Sequence, residues 1–130
     1  MNILAILVAT LSAFVLGGLW YSPLLFGPSW QRASGLSDVA LKAQNRPKVF
    51  ALSFLLTLVM AVNLAAFLNQ PGTTLIWGAT AGFLAGFGWV ALGFAVVGLF
   101  ESRTLSYVLI NGGYMMVAFV VMGAIIGGWR

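Results

Sequence analysis

The chain has 130 residues, of which 62% are apolar and only 6% are charged, and it contains no cysteine and no histidine. A soluble domain averages roughly 25% charged residues, so this composition excludes an ordinary water-exposed surface, and we expect lipid to cover the protein. The missing residue types exclude disulfides, thiolate nucleophiles and the usual zinc sites. Despite the net charge of +4, we expect no nucleic-acid partner, because such binding needs a basic face or stripe.

Four apolar segments are long enough to cross a membrane, which takes about 20 residues as a helix. They run from about Ile3 to Tyr21, Val49 to Leu68, Thr74 to Phe100 and Leu105 to Trp129, and none contains a charged residue. The sequence therefore predicts an all-α integral membrane protein with one domain, residues 1–130, folded as a four-transmembrane-helix bundle.

The first loop, from about Ser22 to Pro47, is the only long connection. Pro23 and Pro28 open it and are expected to break helices. Ser37 can cap a short helix that starts at the next residue, Asp38. Apolar side chains on this segment predict that it is an interfacial helix, lying on the membrane surface.

Positive charges are unevenly distributed between the two sides of the predicted bundle. The first and third loops share one side and carry Arg32, Lys42, Arg46, Lys48 and Arg103. The other side, with both termini and the second loop, carries only Arg130. The positive-inside rule therefore predicts that the first and third loops are cytoplasmic and that both termini lie outside.

Small residues recur at four-residue spacing on three of the predicted helices. They are Ala5, Ala9, Ala13 and Gly17 on the first, Gly78, Gly82 and Gly86 on the third, and Gly123 and Gly127 on the fourth. Helices in a bilayer associate by close packing, which small residues permit. We expect these strips to pack within the bundle or against a second copy, and their number favours a homo-oligomer.

Polar side chains inside a membrane are costly, so each needs a reason to be there. Counting about 1.5 Å per residue places five polar or aromatic side chains in the cytoplasmic half: Trp20, Tyr21, Trp89, Asn111 and Tyr114. We expect them to form a cluster that is either packing or a ligand pocket, with Glu101 and Arg103 at its mouth. Asn63 lies nearer the outer face, where it could hydrogen-bond another helix or bind a ligand or ion.

Glu101 and Arg103 flank Ser102 in the short third loop. Side chains two residues apart do not face each other on a helix. We therefore expect Glu101 to pair with a cation of the first loop and Arg103 to anchor the helix end among lipid headgroups; the alternative is that Glu101 acts as a lone carboxylate that gates protons.

Two parts of the sequence carry a family resemblance. The first is Gly17–Trp30, with the sequence GGLWYSPLLFGPSW, and the second combines Gly86–Phe94, Phe100–Arg103 and Leu109–Tyr114. Both resemble the DUF1761 family of small bacterial membrane proteins. The resemblance covers nearly the whole chain and implies four transmembrane helices in a bacterial membrane, which we expect to be the inner membrane. The family is named for its unknown function, so the resemblance implies no activity and no catalytic residues.

Three functions are compatible with these features. We expect a non-enzymatic oligomer that binds membrane lipid, a small apolar ligand or a partner protein, with no cofactor and no metal. The alternative is a small channel or transporter formed by oligomerisation. Its water-filled path would be lined by Asn63, Thr57, Ser53 or Asn111. A lipid-modifying enzyme is least favoured, because its two carboxylates, Asp38 and Glu101, lie in different loops.

Overall fold

The computed structural model describes all 130 residues and contains helices joined by turns. The helices are α1 Ile3–Trp20, α2 Gly27–Ser34, α3 Asp38–Ala43, α4 Arg46–Leu68, α5 Leu75–Phe100 and α6 Leu105–Gly128. Four of them, α1, α4, α5 and α6, are long and apolar enough to cross a membrane. This confirms the predicted all-α, four-helix fold class and fits a multi-pass membrane protein.

The two ends of the bundle differ in charge, and we name them accordingly. The basic end carries the first and third loops, and the terminal end carries the second loop and both termini. Five of the six Lys and Arg residues lie at the basic end, so Arg130 is alone at the other.

Side-chain caps begin the long helices. Asn2, Asn45, Thr74 and Thr104 each accept a hydrogen bond from a backbone N–H in the first turn that follows. Such caps satisfy donors that have no partner within the helix. Helix α4 begins at Arg46, ahead of the predicted Val49, because the Asn45 cap and Pro47 favour a helix start even where the residues are charged.

The first loop folds into two short helices, of which α2 was not expected. Pro28 lies in the first turn of α2, where its missing N–H costs nothing, so the prediction that it breaks a helix was wrong. Gly35 ends α2 in the left-handed conformation, with φ at 73°. Helix α3 begins at Asp38 as predicted, and Ser37 Oγ accepts a hydrogen bond from Ala40 N at 3.1 Å. That α3 lies on the membrane surface stays a prediction.

Helices α5 and α6 approach so closely that their backbones touch. A Cβ built on Gly78 would overlap the carbonyl oxygen of Gly123, and one on Gly82 would overlap that of Phe119. Gly127 is also crowded, by the backbone of Thr74 and Gly78. Close approach through small residues is how helices associate in lipid, and here these glycine strips pack within one chain.

Helix α1 packs between α4 and α6. Ala5, Ala9 and Ala13 are completely or almost completely buried, and Gly17 faces the ring of Tyr114 on α6. The core that results lies toward the terminal end and contains Ile6, Ala9, Ala13, Ala61, Leu64, Ala65, Leu68, Ala81, Ala118, Phe119, Met122 and Ile126. The small-residue strip of α1 therefore also packs inside the bundle.

Helix α5 contains a π-helical segment, Gly86–Ala91. Such segments are rare and occur frequently at functional sites. Here the π segment faces α6, with Gly86 against Phe119 and Ala91 against Gly112. The packing of α5 on α6 is most extensive before this segment and sparser after it, so the two helices separate toward the basic end.

Gly82→Ala is expected to lower the free energy of unfolding by about 1–3 kcal/mol, because the new Cβ would overlap the Phe119 carbonyl oxygen. Gly88→Ala is the matched control on the same helix, since a Cβ there meets no atom within 4 Å. That variant should be neutral or gain up to about 1 kcal/mol. Unfolding by sodium dodecyl sulfate in mixed micelles measures both, and equal effects would contradict the backbone contact.

Candidate functional site

A polar–aromatic cluster joins the end of α1 to the first half of α6, near the basic end. Trp20 Nε1 donates to the Ile110 carbonyl oxygen at 2.9 Å, and Tyr21 OH donates to Asn111 Oδ1 at 2.7 Å. Asn111 Nδ2 in turn donates to the Tyr107 carbonyl oxygen at 3.1 Å. The Asn111 amide, which was expected to need partners inside the membrane, therefore has one for its oxygen and one for its nitrogen.

Tyr114 completes this cluster from the next turn of α6. Its hydroxyl donates to the Ala13 carbonyl oxygen at 2.8 Å, and its ring lies 5.5 Å from the ring of Tyr21 in an edge-on arrangement. The Trp20 ring lies 6.5 Å away. A Cβ on Gly17 would come within 3.1 Å of the Tyr114 hydroxyl, so glycine at that position makes room for the ring.

The cluster also includes two aromatic residues that the sequence analysis did not place there. The Phe26 ring lies 4.9 Å from Trp20, and the Trp30 ring lies 5.6 Å from Tyr21. The chain folds back tightly after α1, where a Cβ on Gly27 would lie 2.6 Å from the Tyr21 carbonyl oxygen. Both aromatic residues belong to the segment Gly17–Trp30, which carries the family resemblance. That shared segment was the sequence feature that could have indicated their place in the cluster.

Trp89 lies outside the cluster, which corrects the prediction. Its side chain is 80% exposed on the surface of the bundle. Trp89 belongs to the π segment, whereas Gly86, three residues earlier, faces α6. A π turn holds more residues than an α turn, so three residues sweep a smaller angle and do not bring Trp89 back to the face that Gly86 occupies.

Glu101 and Arg103 lie in the turn between α5 and α6. Ser102 adopts a left-handed conformation, with φ at 55°, and Glu101 Oε1 lies 3.8 Å from Arg103 Nε. The expectation that these side chains do not face each other was wrong, because they sit in a turn rather than a helix. The Arg103 guanidinium also lies 4.9 Å from the Tyr107 ring centroid and donates to the Ser34 carbonyl oxygen at 3.4 Å.

A surface groove of about 270 Å³ runs along α5 from Val90, near the end of the π segment, to this turn. Its lining residues are Val90, Gly93, Phe94, Val97, Gly98, Glu101 and Tyr107. A Cβ on Gly93 would meet no atom within 4 Å, so the missing side chain leaves open space. Tyr107 connects the groove to the polar–aromatic cluster, because its carbonyl oxygen accepts the hydrogen bond from Asn111.

A second cavity, of about 470 Å³, opens at the terminal end. It is lined by Met1, Asn2, Ala65, Asn69, Ile126, Trp129 and Arg130. The Arg130 guanidinium donates to the carbonyl oxygens of Leu68 and Gln70 at 2.9 and 3.2 Å. It therefore caps the end of α4, a role that Lys and Arg side chains often take, and two of its donors are engaged with the protein.

The polar residues expected to line a water-filled path are not gathered within one chain. Thr57 Oγ1 donates to the carbonyl oxygen of Ser53 on its own helix, at 2.7 Å. Asn111 lies in the polar–aromatic cluster, between α1 and α6. Asn63 is exposed on the outer side of α4. A continuous path through a single bundle therefore does not form from these residues.

The two carboxylates of the chain have different partners. Asp38 Oδ1 accepts a hydrogen bond from Gln31 Nε2 at 2.8 Å, whereas Glu101 pairs with Arg103 rather than with a first-loop cation. The polar contact of Asp38 thus lies within the first loop, and that of Glu101 lies within the third loop. The paired-acid site of the lipid-modifying alternative would need the two carboxylates to share one set of contacts.

Tyr21→Phe is expected to lower the free energy of unfolding by about 0.5–1.5 kcal/mol, because the Asn111 amide oxygen loses its donor. Tyr107→Phe is the matched control, since no side-chain hydrogen bond of the protein uses that hydroxyl. In the Asn111→Leu variant, adding Tyr21→Phe should then lower the free energy of unfolding less than Tyr21→Phe does in the native chain. Unfolding in mixed micelles measures these four variants against the native chain, and equal losses for Tyr21→Phe and Tyr107→Phe would contradict the hydrogen bond.

The comparison with protein families agrees with the resemblance seen in the sequence. The family model DUF1761, described as a protein of unknown function, matches residues 4–127. No curated protein and no solved structure matches the chain. The segments Gly17–Trp30 and Leu109–Tyr114, which carry part of the resemblance, meet in space and together supply the hydrogen-bonded side chains of the cluster. Because the match spans almost every residue, this chain belongs to the DUF1761 family.

Proposed function

We propose that this chain is a non-enzymatic, oligomeric protein of the bacterial inner membrane that binds a phospholipid in the groove along α5. The groove itself carries the proposal. It is apolar along its length and ends at Glu101, Tyr107 and the neighbouring Arg103. A phospholipid has the same division, with an apolar chain and a charged headgroup.

Shape, rather than the hydrophobic effect, has to provide the preference for a bound acyl chain. The surrounding lipid is as apolar as the groove, so transfer from one to the other releases no water-exposed surface. An acyl chain that fills the space beside Gly93 instead gains dispersion contacts, each worth only about 0.1–0.2 kcal/mol but numerous. The open space at Gly93 is the part of the groove that such a chain would occupy.

Arg103 is the residue best placed to bind the headgroup phosphate. Its Nε lies 3.8 Å from Glu101, and both side chains are partly exposed. Ion pairs of this kind contribute roughly 0–1 kcal/mol, so the guanidinium can exchange part of this contact for a phosphate at little cost. The other cations of the basic end add attraction for anionic headgroups.

The orientation of the bundle decides which leaflet supplies the lipid. The positive-inside rule favours a cytoplasmic basic end, and the groove would then face the cytoplasmic leaflet. Anionic lipids give that leaflet a negative surface potential. The preference of the site for an anionic phospholipid and the proposed orientation therefore support each other.

The channel or transporter remains the second candidate, and it would need a path between copies of the chain. The residues expected to line that path lie in different parts of the fold, so we rank this function below lipid binding. Liposomes that contain the purified protein are expected to show the same ion flux as empty liposomes.

Gly93→Leu is expected to reduce phospholipid binding about tenfold, equivalent to 1.4 kcal/mol, because the new side chain fills the groove. The fold should be retained, since a Cβ there meets no atom within 4 Å. Gly88→Leu is the matched control, equally free of neighbours but outside the groove. The measurement is the number of phosphatidylglycerol molecules retained after mild delipidation, by native mass spectrometry.

The headgroup part of the same experiment uses Arg103→Gln. The native chain should favour phosphatidylglycerol over phosphatidylcholine, and this variant should show a clearly smaller preference, because the other cations of the basic end remain. The proposal fails if Gly93→Leu and Gly88→Leu retain as much lipid as the native chain.

The orientation is tested with single cysteines at Val39 and Gln70, both of which are exposed and lie at opposite ends of the bundle. Because the native chain has no cysteine, each variant carries one thiol. A membrane-impermeant maleimide added to intact spheroplasts should label Gln70→Cys and spare Val39→Cys until the membrane is opened. The reverse pattern would overturn the proposed orientation.

A further inference from the structure

Helix α4 carries an amide that has no partner in the chain. Asn63 is exposed, and it takes part in none of the side-chain hydrogen bonds of the protein. At about 1.5 Å per residue, it lies roughly 7 Å from the end of α4 at Leu68 and roughly 22 Å from Lys48. This depth is within the hydrocarbon layer, about 30 Å thick, where lipid tails cannot hydrogen-bond an amide.

Thr80 and Asn111, two other polar residues of the spanning helices, do have partners within the chain. Thr80, which is also exposed, donates its hydroxyl to the Ile76 carbonyl oxygen of its own helix at 2.8 Å. Asn111 is held by Tyr21 and by the backbone of α6. An amide has two N–H donors and an acceptor, so Asn63 needs a partner from outside its helix.

Asn63 lies within a stripe of exposed residues that are spaced alternately by four and by three. The stripe, which we call the α4 seam, consists of Leu52, Leu56, Val59, Asn63 and Ala66. This spacing is the heptad pattern of two helices packed side by side. Leu56 and Val59 are 64% and 50% exposed, so the chain itself does not cover the seam.

The buried face of α4 is on the opposite side of the helix. Its residues are Ala61, Leu64, Ala65 and Leu68, all part of the core. The α4 seam is therefore not a loosely packed part of the bundle, and no rearrangement within the chain is needed to expose it.

We propose that the α4 seam is the interface of a homodimer in which Asn63 hydrogen-bonds Asn63 of a second copy. Two copies inserted in the same orientation present their α4 helices in parallel, so residues at the same depth meet across a twofold axis. An amide both donates and accepts, which makes this residue its own complement. A single polar residue in such a seam also fixes the register of the two helices.

This dimer rests on the oligomer in the proposed function, which it specifies, and it is independent of the lipid-binding part. The groove is formed by α5 and α6, whereas the α4 seam belongs to another helix. A chain that binds lipid but does not dimerise would contradict only the dimer. A dimer that binds no lipid would contradict only the lipid site.

The dimerisation equilibrium is measured by energy transfer between fluorophores on Gln70→Cys, in phosphatidylcholine vesicles at several protein-to-lipid ratios. Asn63→Leu should weaken dimerisation roughly three- to thirtyfold, the range expected for an interhelical hydrogen bond in a membrane. Thr80→Leu is the matched control, because its hydroxyl is satisfied on its own helix, and it should leave the equilibrium unchanged. Asn63→Gln, which keeps the amide, should retain most of the affinity.

Disulfide formation locates the interface independently. Leu56→Cys, in the α4 seam, should give a covalent dimer under mild oxidation, and Leu84→Cys, on the exposed face of α5, should not. Both positions are exposed, so neither variant disturbs the core. The proposal is overturned if the native chain is monomeric at every ratio, if Asn63→Leu dimerises like the native chain, or if Leu84→Cys cross-links as readily as Leu56→Cys.

Discussion

The direct backbone contact between α5 and α6 is the constraint on which the other features depend. There is no room for a side chain at Gly78 or Gly82, so α6 is held against α5 with its remaining faces free to receive α1 and α4. The closest backbone contacts are at Gly78 and Gly82, before the π segment that begins at Gly86. The groove lies beyond that point, where α5 and α6 separate toward the basic end.

The cluster and the groove are neighbours with different physical character. In the cluster, Trp20, Tyr21, Asn111 and Tyr114 have all found hydrogen-bond partners. A satisfied polar network of this kind makes its surroundings rigid. The groove, by contrast, keeps open space beside an exposed ion pair. We therefore assign the cluster to holding α1 on α6, and ligand binding to the groove that this rigid end supports.

The sequence predicts the depth of a residue along a helix better than the face of the helix on which its side chain lies. Counting residues placed Tyr21 and Asn111 at one depth, and the fold joins them. The same count placed Trp89 there, but depth carries no information about the π segment that turns this side chain outward. For Asn63 the sequence indicates burial in the membrane but not the side of α4. Pro28 and Ser102 were missed for a local reason, since a helix start and a left-handed turn depend on backbone geometry.

Lipid binding in the groove is the central claim, and site mapping with a photoactivatable lipid tests it most directly. A phosphatidylglycerol with a diazirine on its acyl chain would be activated with the native protein in a bilayer, and the modified peptides identified by mass spectrometry. The account predicts labelling concentrated between Val90 and Val97 and suppressed by unlabelled phosphatidylglycerol. Labelling spread evenly over the exposed faces of α1, α4 and α5, without competition, would contradict it.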